Sequence, residues 1–151
     1  MSSITFPYAT KAHDVYGQIS RPVTVLRYFS ERFQDWVQVG NVLVDTGADI
    51  SLVGMPLGQL LVAEVHTGIP FYLSGIAKHN QSFDAFVHPL RVRLGSLEFV
   101  MPVAITAAEI PPAILGRLDG LDRLDVSFHY GEAVTFAWST HESQESGQAI
   151  S

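Results

Sequence analysis

The sequence predicts an all-β domain, and three observations carry that expectation. Hydrophobic residues make up 47% of 151 residues and charged residues only 16%, the balance of a folded chain with one compact core rather than a disordered one. Gly (12) and Pro (8) are frequent enough to punctuate many turns. The apolar stretches between them are short, rich in β-branched and aromatic residues, and several alternate with polar residues at the strand period.

Along the chain, residues 1–21 precede the first clear strand and leave three readings open: an interface strand, a removable pro-segment or a disordered arm. Residues 22–138 read as the domain, and 139–151, nearly free of large apolar side chains, as a disordered tail. Val23 to Phe29, Trp36 to Val39 and Asn41 to Val44 read as three strands, followed by Ile50 to Val53 and a Gly/Pro-punctuated stretch to Gly68. A hairpin is expected from Phe71 to Val87, with a polar or small middle. Leu90-Arg91-Val92-Arg93-Leu94 and Leu97 to Val103, joined by Gly95-Ser96, alternate as a second hairpin with one wet face. One short helix is expected over 118–124, where Leu118, Leu121 and Leu124 recur at three-residue spacing. Ala133 to Trp138 is the last strand.

Charge and composition narrow the function. Nine basic against fifteen acidic residues give a net charge of -6, unsuited to gathering a phosphate backbone, so nucleic acid is not an expected partner. Cysteine is absent, which removes thiolate chemistry and disulfides and suits a reducing compartment. The start lacks the basic and apolar regions of a signal peptide, and no run approaches membrane-spanning length; the cytoplasm is the default location, with no membrane partner. The six histidines show no paired metal-ligand spacing, and neither a Walker-type loop nor a Gly-x-Ser-x-Gly elbow occurs. No metal or cofactor is expected.

The run Asn41-Val42-Leu43-Val44-Asp45-Thr46-Gly47-Ala48-Asp49 stands out. A strand of core character delivers an acid straight into a turn of a hydroxyl residue and glycine. An isolated Asp and Gly in a turn is ordinary; the longer pattern arises by chance on the order of once in a thousand chains this long. About seventy positions on, Ala113-Ile114-Leu115-Gly116-Arg117 is an apolar strand ending in glycine.

These parts, with a hairpin between them, resemble the retropepsins, the single-lobed class of aspartic protease, and the run from Ile114 to Phe128 is similar to the closing segment of bacterial members. The resemblance covers roughly Val23 to Trp138. It implies a single-lobe closed β-barrel, with the hairpin near 71–87 as a flap over the site. It implies an aspartic endopeptidase in which Asp45, Thr46 and Gly47 form the catalytic loop. Two carboxyl groups sharing one proton can hydrolyse a peptide bond with neither metal nor covalent intermediate. No second Asp-Thr-Gly or Asp-Ser-Gly exists: Asp119-Gly120 lacks the hydroxyl residue, and Asp14, Asp35, Asp84, Asp122 and Asp125 lack the loop. The second aspartate must then come from another copy across a two-fold axis, which makes a homodimer a requirement and a peptide or protein the substrate.

The resemblance also assigns supporting roles. Thr46 would hydrogen-bond across the axis, and Asp49 would anchor substrate backbone while pairing with Arg117. Leu43, Pro112 and Ile114 would wall apolar pockets beside the cut bond. Ala48 sits where it is associated with less acidic working conditions than Thr. Leu115 and Gly116 would support the loop, and Gly75, Ile76 and Ala77 would form the flap, paired with an extended peptide. Ala77-Lys78-His79 departs from the usual glycine-rich flap tip. That departure keeps a second reading open, a catalytically silent module of the same fold that binds peptides or serves as a structural dimer.

Overall fold

A computed structural model describes residues 1–72, 85–107 and 113–140. Twelve strands are present among them: β1 (Ser2–Pro7), β2 (Ala9–His13), β3 (Gly17–Arg21), β4 (Val23–Ser30), β5 (Asp35–Val44), β6 (Ser51–Gly54), β7 (Ile69–Phe71), β8 (Ala85–Leu94), β9 (Leu97–Thr106), β10 (Ile114–Leu115), β11 (Asp125–His129) and β12 (Ala133–Trp138).

Strands β4-β5-β10-β6-β9-β8 form one sheet in that order, with β7 appended to β8. Pairing of Arg27 with Arg93 and Tyr28 with Val92 brings β8 back to β4 and closes the barrel. The strands alternate as the pleat requires: Thr24, Leu26, Tyr28 and Ser30 of β4 point inward, as do Leu90, Val92 and Leu94 of β8. Leu97, Phe99, Met101, Val103 and Ile105 of β9 complete the same core. Each large apolar side chain buried there contributes about 1.5–3 kcal/mol of transfer free energy.

Two of the expected elements differ. Trp36 to Val39 and Asn41 to Val44 are one strand, because Gly40-Asn41 is a bulge and not a turn. Thr24 faces Val42 but Leu26 faces Val39, so β5 carries an extra residue there, with Asn41 at φ 53°. The expected helix over 118–124 is corrected to a single 3-10 turn at Leu121–Arg123. Asp119 at φ 53° and Gly120 at φ -110°, ψ -100° interrupt any longer helix.

The one α-helix among the described residues is α1 (Met55–Leu61), inside the stretch that reads as irregular. Pro56 falls in its first turn, where a missing N–H costs nothing. Gly58 faces the barrel so closely that a Cβ would lie 2.2 Å from Ile105 Cγ2. The last carbonyls of α1 are taken up by the end of β4: Ser30 Oγ donates to the Leu60 carbonyl, and Glu31 N–H to that of Leu61.

The hairpin base expected near Phe71 is present as β7 against β8, Ile69 facing Val87 and Phe71 facing Ala85. The second hairpin, β8 to β9 through Gly95-Ser96, runs from Ala85 opposite Thr106 to Leu94 opposite Leu97.

A separate three-stranded sheet, ordered β1-β12-β11, unites the two ends of the described chain. β1 runs antiparallel to β12 from Ser2 opposite Trp138 to Pro7 opposite Ala133. Val134, Phe136 and Trp138 bury one face against the barrel, joined by Ile4, Phe6 and Val126. The rest of the first 21 residues is the β2–β3 hairpin, with Val15 and Tyr16 exposed near its tip. No helix among the described residues is long and apolar enough to cross a membrane, which says nothing of strands.

Candidate active site

The geometry of the Asp45 loop begins with three strand ends meeting. β10 lies parallel to β5, Ile114 beside Leu43 and Leu115 beside Val44, and antiparallel to β6, Ile114 beside Leu52. The chain therefore leaves β5 at Asp45, turns, and re-enters as β6 on the far side of β10. Backbone bonds tie this crossing down. Asp45 N–H donates to the Leu115 carbonyl (3.1 Å), Ala48 N–H to that of Asp45 (3.2 Å), Arg117 N–H to that of Ala48 (3.0 Å) and Leu118 N–H to that of Asp49 (2.9 Å).

Gly116 is what allows the contact. A Cβ there would sit 2.6 Å from the Ile50 carbonyl oxygen and 2.9 Å from that of Ala48, closer than any side chain tolerates beside backbone. The apolar-apolar-Gly pattern is thus a floor on which the loop rests. Ser51 completes it: buried at the start of β6, its Oγ accepts from Gly116 N–H (2.9 Å) and points its own proton at Met101 Sδ (3.5 Å). Ser51 is a positioning residue that the sequence alone does not single out, since a serine after an apolar residue carries no recognisable signal.

Asp45 itself is half-buried, and its Oδ1 accepts from Gly47 N–H (2.9 Å). This bond orients the carboxylate from within its own turn. Gly47 leaves little spare room, because a Cβ would approach that same oxygen to 3.3 Å. Thr46 is exposed, and its hydroxyl makes no hydrogen bond among the described residues. The expected ion pair between Asp49 and Arg117 is present. Both side chains are largely exposed, so the pair contributes at most about 1 kcal/mol and serves geometry more than stability.

Leu43, Ala48 and Ile114 are half-buried beside the loop, while Leu115 and Gly116 are buried beneath it. Leu43 also lines a cavity of about 230 Å³ whose other walls include Val23, Asn41 and, from the N-terminal hairpin, Lys11 and Arg21. Sequence reasoning missed that contribution, because nothing before Pro22 announces which element it packs on. Pro112 and the flap residues Gly75, Ile76 and Ala77 lie outside the described residues.

No family model matches the sequence, and a search of curated proteins finds no match. Among solved structures, the chain is similar to a retropepsin-like aspartic protease from Rickettsia conorii, at 17% identity and a TM-score of 0.55, over 91% of this chain and 94% of that one. EIAV protease complexed with the inhibitor HBY-793 aligns at 22% identity and a TM-score of 0.42, over 71% and 88% of the two chains. The closed barrel, the loop crossing and the first of these likenesses make the fold retropepsin-like.

Proposed function

We propose that this chain is one protomer of a homodimeric aspartic endopeptidase, with the two Asp45 carboxyls as its catalytic pair. The observation that carries the reading is the support of Asp45. A half-exposed carboxylate is held at the tip of a turn by Gly47 N–H, on a loop joined by three backbone hydrogen bonds to the crossing around Gly116. A turn whose acid served only local geometry has no need of so close an apposition to β10.

In the dimer, the two carboxyls face each other across the two-fold axis and share one proton. The ionised member takes a proton from water as it attacks the substrate carbonyl carbon, and the protonated member donates to the carbonyl oxygen. The tetrahedral intermediate collapses as the nitrogen leaves protonated, and the pair returns to its starting state. Thr46, exposed and without a partner among the described residues, bonds across the axis. Asp49, oriented by Arg117, accepts a substrate backbone N–H. Leu43, Ala48 and Ile114 favour hydrophobic side chains beside the cut bond, while Pro112 and Gly75-Ile76-Ala77 are assigned to substrate by the sequence resemblance alone.

Incubation with a diverse peptide library from about pH 4 to about pH 7.5, beside Asp45→Asn, tests this. Cleavage is expected, with a loss of roughly a thousandfold or more in the variant. Peptide binding with no cleavage at any pH would instead favour the catalytically silent module.

A further inference from the structure

The β2–β3 hairpin is pinned at its base and holds two cations beside the strand that carries Asp45. Tyr8 N–H donates to the Glu132 carbonyl (2.9 Å), and Val44 N–H, just before Asp45, donates to the Pro22 carbonyl (3.0 Å). Within the hairpin Arg21 lies opposite Ala9, and Lys11 opposite Ile19. Lys11 and Ala9 share a face, which makes Lys11 and Arg21 diagonal neighbours about 7–8 Å apart. Neither has an ion-pair partner among the described residues. Both line the cavity of about 230 Å³ whose apolar walls include Val23 and Leu43, and none of its lining residues is acidic. Two cations left unneutralised on one small cavity are conspicuous in a chain of net charge -6. Like charges so placed repel, and an anion held between them relieves the repulsion.

The cavity has a fixed relation to the candidate site. Val42 and Val44 face the barrel core, so by the alternation of β5 Leu43 lies on the opposite face, with Val23 beside it on β4 and Ile114 on β10. One strand repeat, roughly 7 Å, separates Leu43 from Asp45. The cavity is smaller than the roughly 300–1,000 Å³ of a small-molecule site and suits one side chain of an extended peptide. We infer that it reads a glutamate side chain of the substrate close to the cut bond, with the methylenes against Val23 and Leu43 and the carboxylate between Lys11 and Arg21. The apolar walls favour glutamate over the shorter aspartate, and the paired cations favour it over its uncharged isostere, glutamine. The inference rests on the peptidase reading of Asp45 and gives that reading a substrate class. Lys11 is the specificity-determining residue, supplied by a hairpin outside the barrel.

Peptides cut by the full-length chain are remade with Glu, Gln or Lys at each position flanking the cut bond, and kcat/KM is compared within each set. One position is expected to favour Glu over Gln by about tenfold near pH 6. That ratio is expected to fall to about one as pH drops below about 4, where the substrate carboxyl is protonated. Titration of the Asp45 pair acts on both peptides alike and leaves the ratio unmoved. Lys11→Glu is expected to invert the order at that position, so that Lys exceeds Glu, and Arg21→Gln to cut the Glu preference to about threefold. A merely structural role for Lys11 would lower all three peptides together. Fluorescence anisotropy of the same peptides with D45N measures binding without turnover, and circular dichroism confirms that each variant is folded. Equal rates for Glu and Gln at every position, or an order that K11E leaves unchanged, overturns the inference; D45N-sensitive cleavage then leaves the peptidase reading standing. Glu-selective binding that K11E reverses, without such cleavage in the native chain, upholds the cavity's role and removes the peptidase reading. Neither cleavage nor binding removes both.

Discussion

The Asp45 loop and the β11 edge are both short exposed stretches, and they differ in where their backbone hydrogen bonds go. The loop directs its bonds inward, to Leu115, Arg117, Leu118 and the turn itself, with Ser51 covering Gly116 N–H. β11 directs half of its backbone outward, at Val126 and Phe128, where the described chain offers nothing to meet it. The contrast is one of self-sufficiency: the loop meets its hydrogen bonds within the described chain, whereas the outer edge of β11 has no strand beside it among the described residues.

That contrast can be broken most forcefully at Gly116. Gly116→Ala forces a methyl against the Ile50 and Ala48 carbonyls, and denaturant unfolding should show a loss of about 2–4 kcal/mol, with cleavage falling through displacement of Asp45. Ser51→Ala strips a buried N–H of its acceptor without adding bulk. The same measurement should show a loss of about 1–3 kcal/mol.

Tyr28 sharpens the contrast from inside the barrel. Its hydroxyl is buried with no hydrogen-bond partner among the described residues, unlike Gly116 N–H in the loop's floor. Tyr28→Phe should be neutral or stabilising by up to about 1 kcal/mol, because it removes a polar group that gains nothing from burial. Burial also pushes the phenol well above its ordinary value of 10.0. A folded-state value raised above the unfolded one means that the native chain loses stability as pH climbs past about 10, where only the unfolded state ionises readily. Thermal melts across that range should show a steeper alkaline decline in the native chain than in Y28F. Smallest should be Phe128→Ala at the exposed edge, under about 1 kcal/mol in the same melts.

Much of this arrangement was legible in the residues themselves. Alternation along Leu90 to Val103 revealed the β8–β9 hairpin, because one face is wet and the other buried. The Asp45 run and the Ile114-Leu115-Gly116 strand were paired through the family resemblance, and they lie side by side because only glycine admits the loop so near. Other features were hidden by residues that serve two purposes. Pro56 and Gly58 look like loop punctuation, yet the first suits a helix start and the second makes room for Ile105. Leu118, Leu121 and Leu124 mimic a helical face, but Asp119 in the left-handed region leaves only a 3-10 turn. Ser51 was unreadable because its role depends on Gly116, 65 positions away. Residues 1–21 stayed open between a strand, a pro-segment and a disordered arm, because the partner of Ser2 to Pro7 is β12, at the other end of the described chain.

The pairing of Ser2 with Trp138 also bears on the order in which the molecule assembles. Hairpins β8–β9 and β11–β12 join neighbours in sequence and close over short loops, whereas β1 must find a strand at the opposite extreme of the described chain. Contacts of such separation carry the largest loop-closure entropy and form late. By that measure the β1–β12 pairing carries a high closure cost among the described sheet contacts, and it is what covers the outer edge of β12.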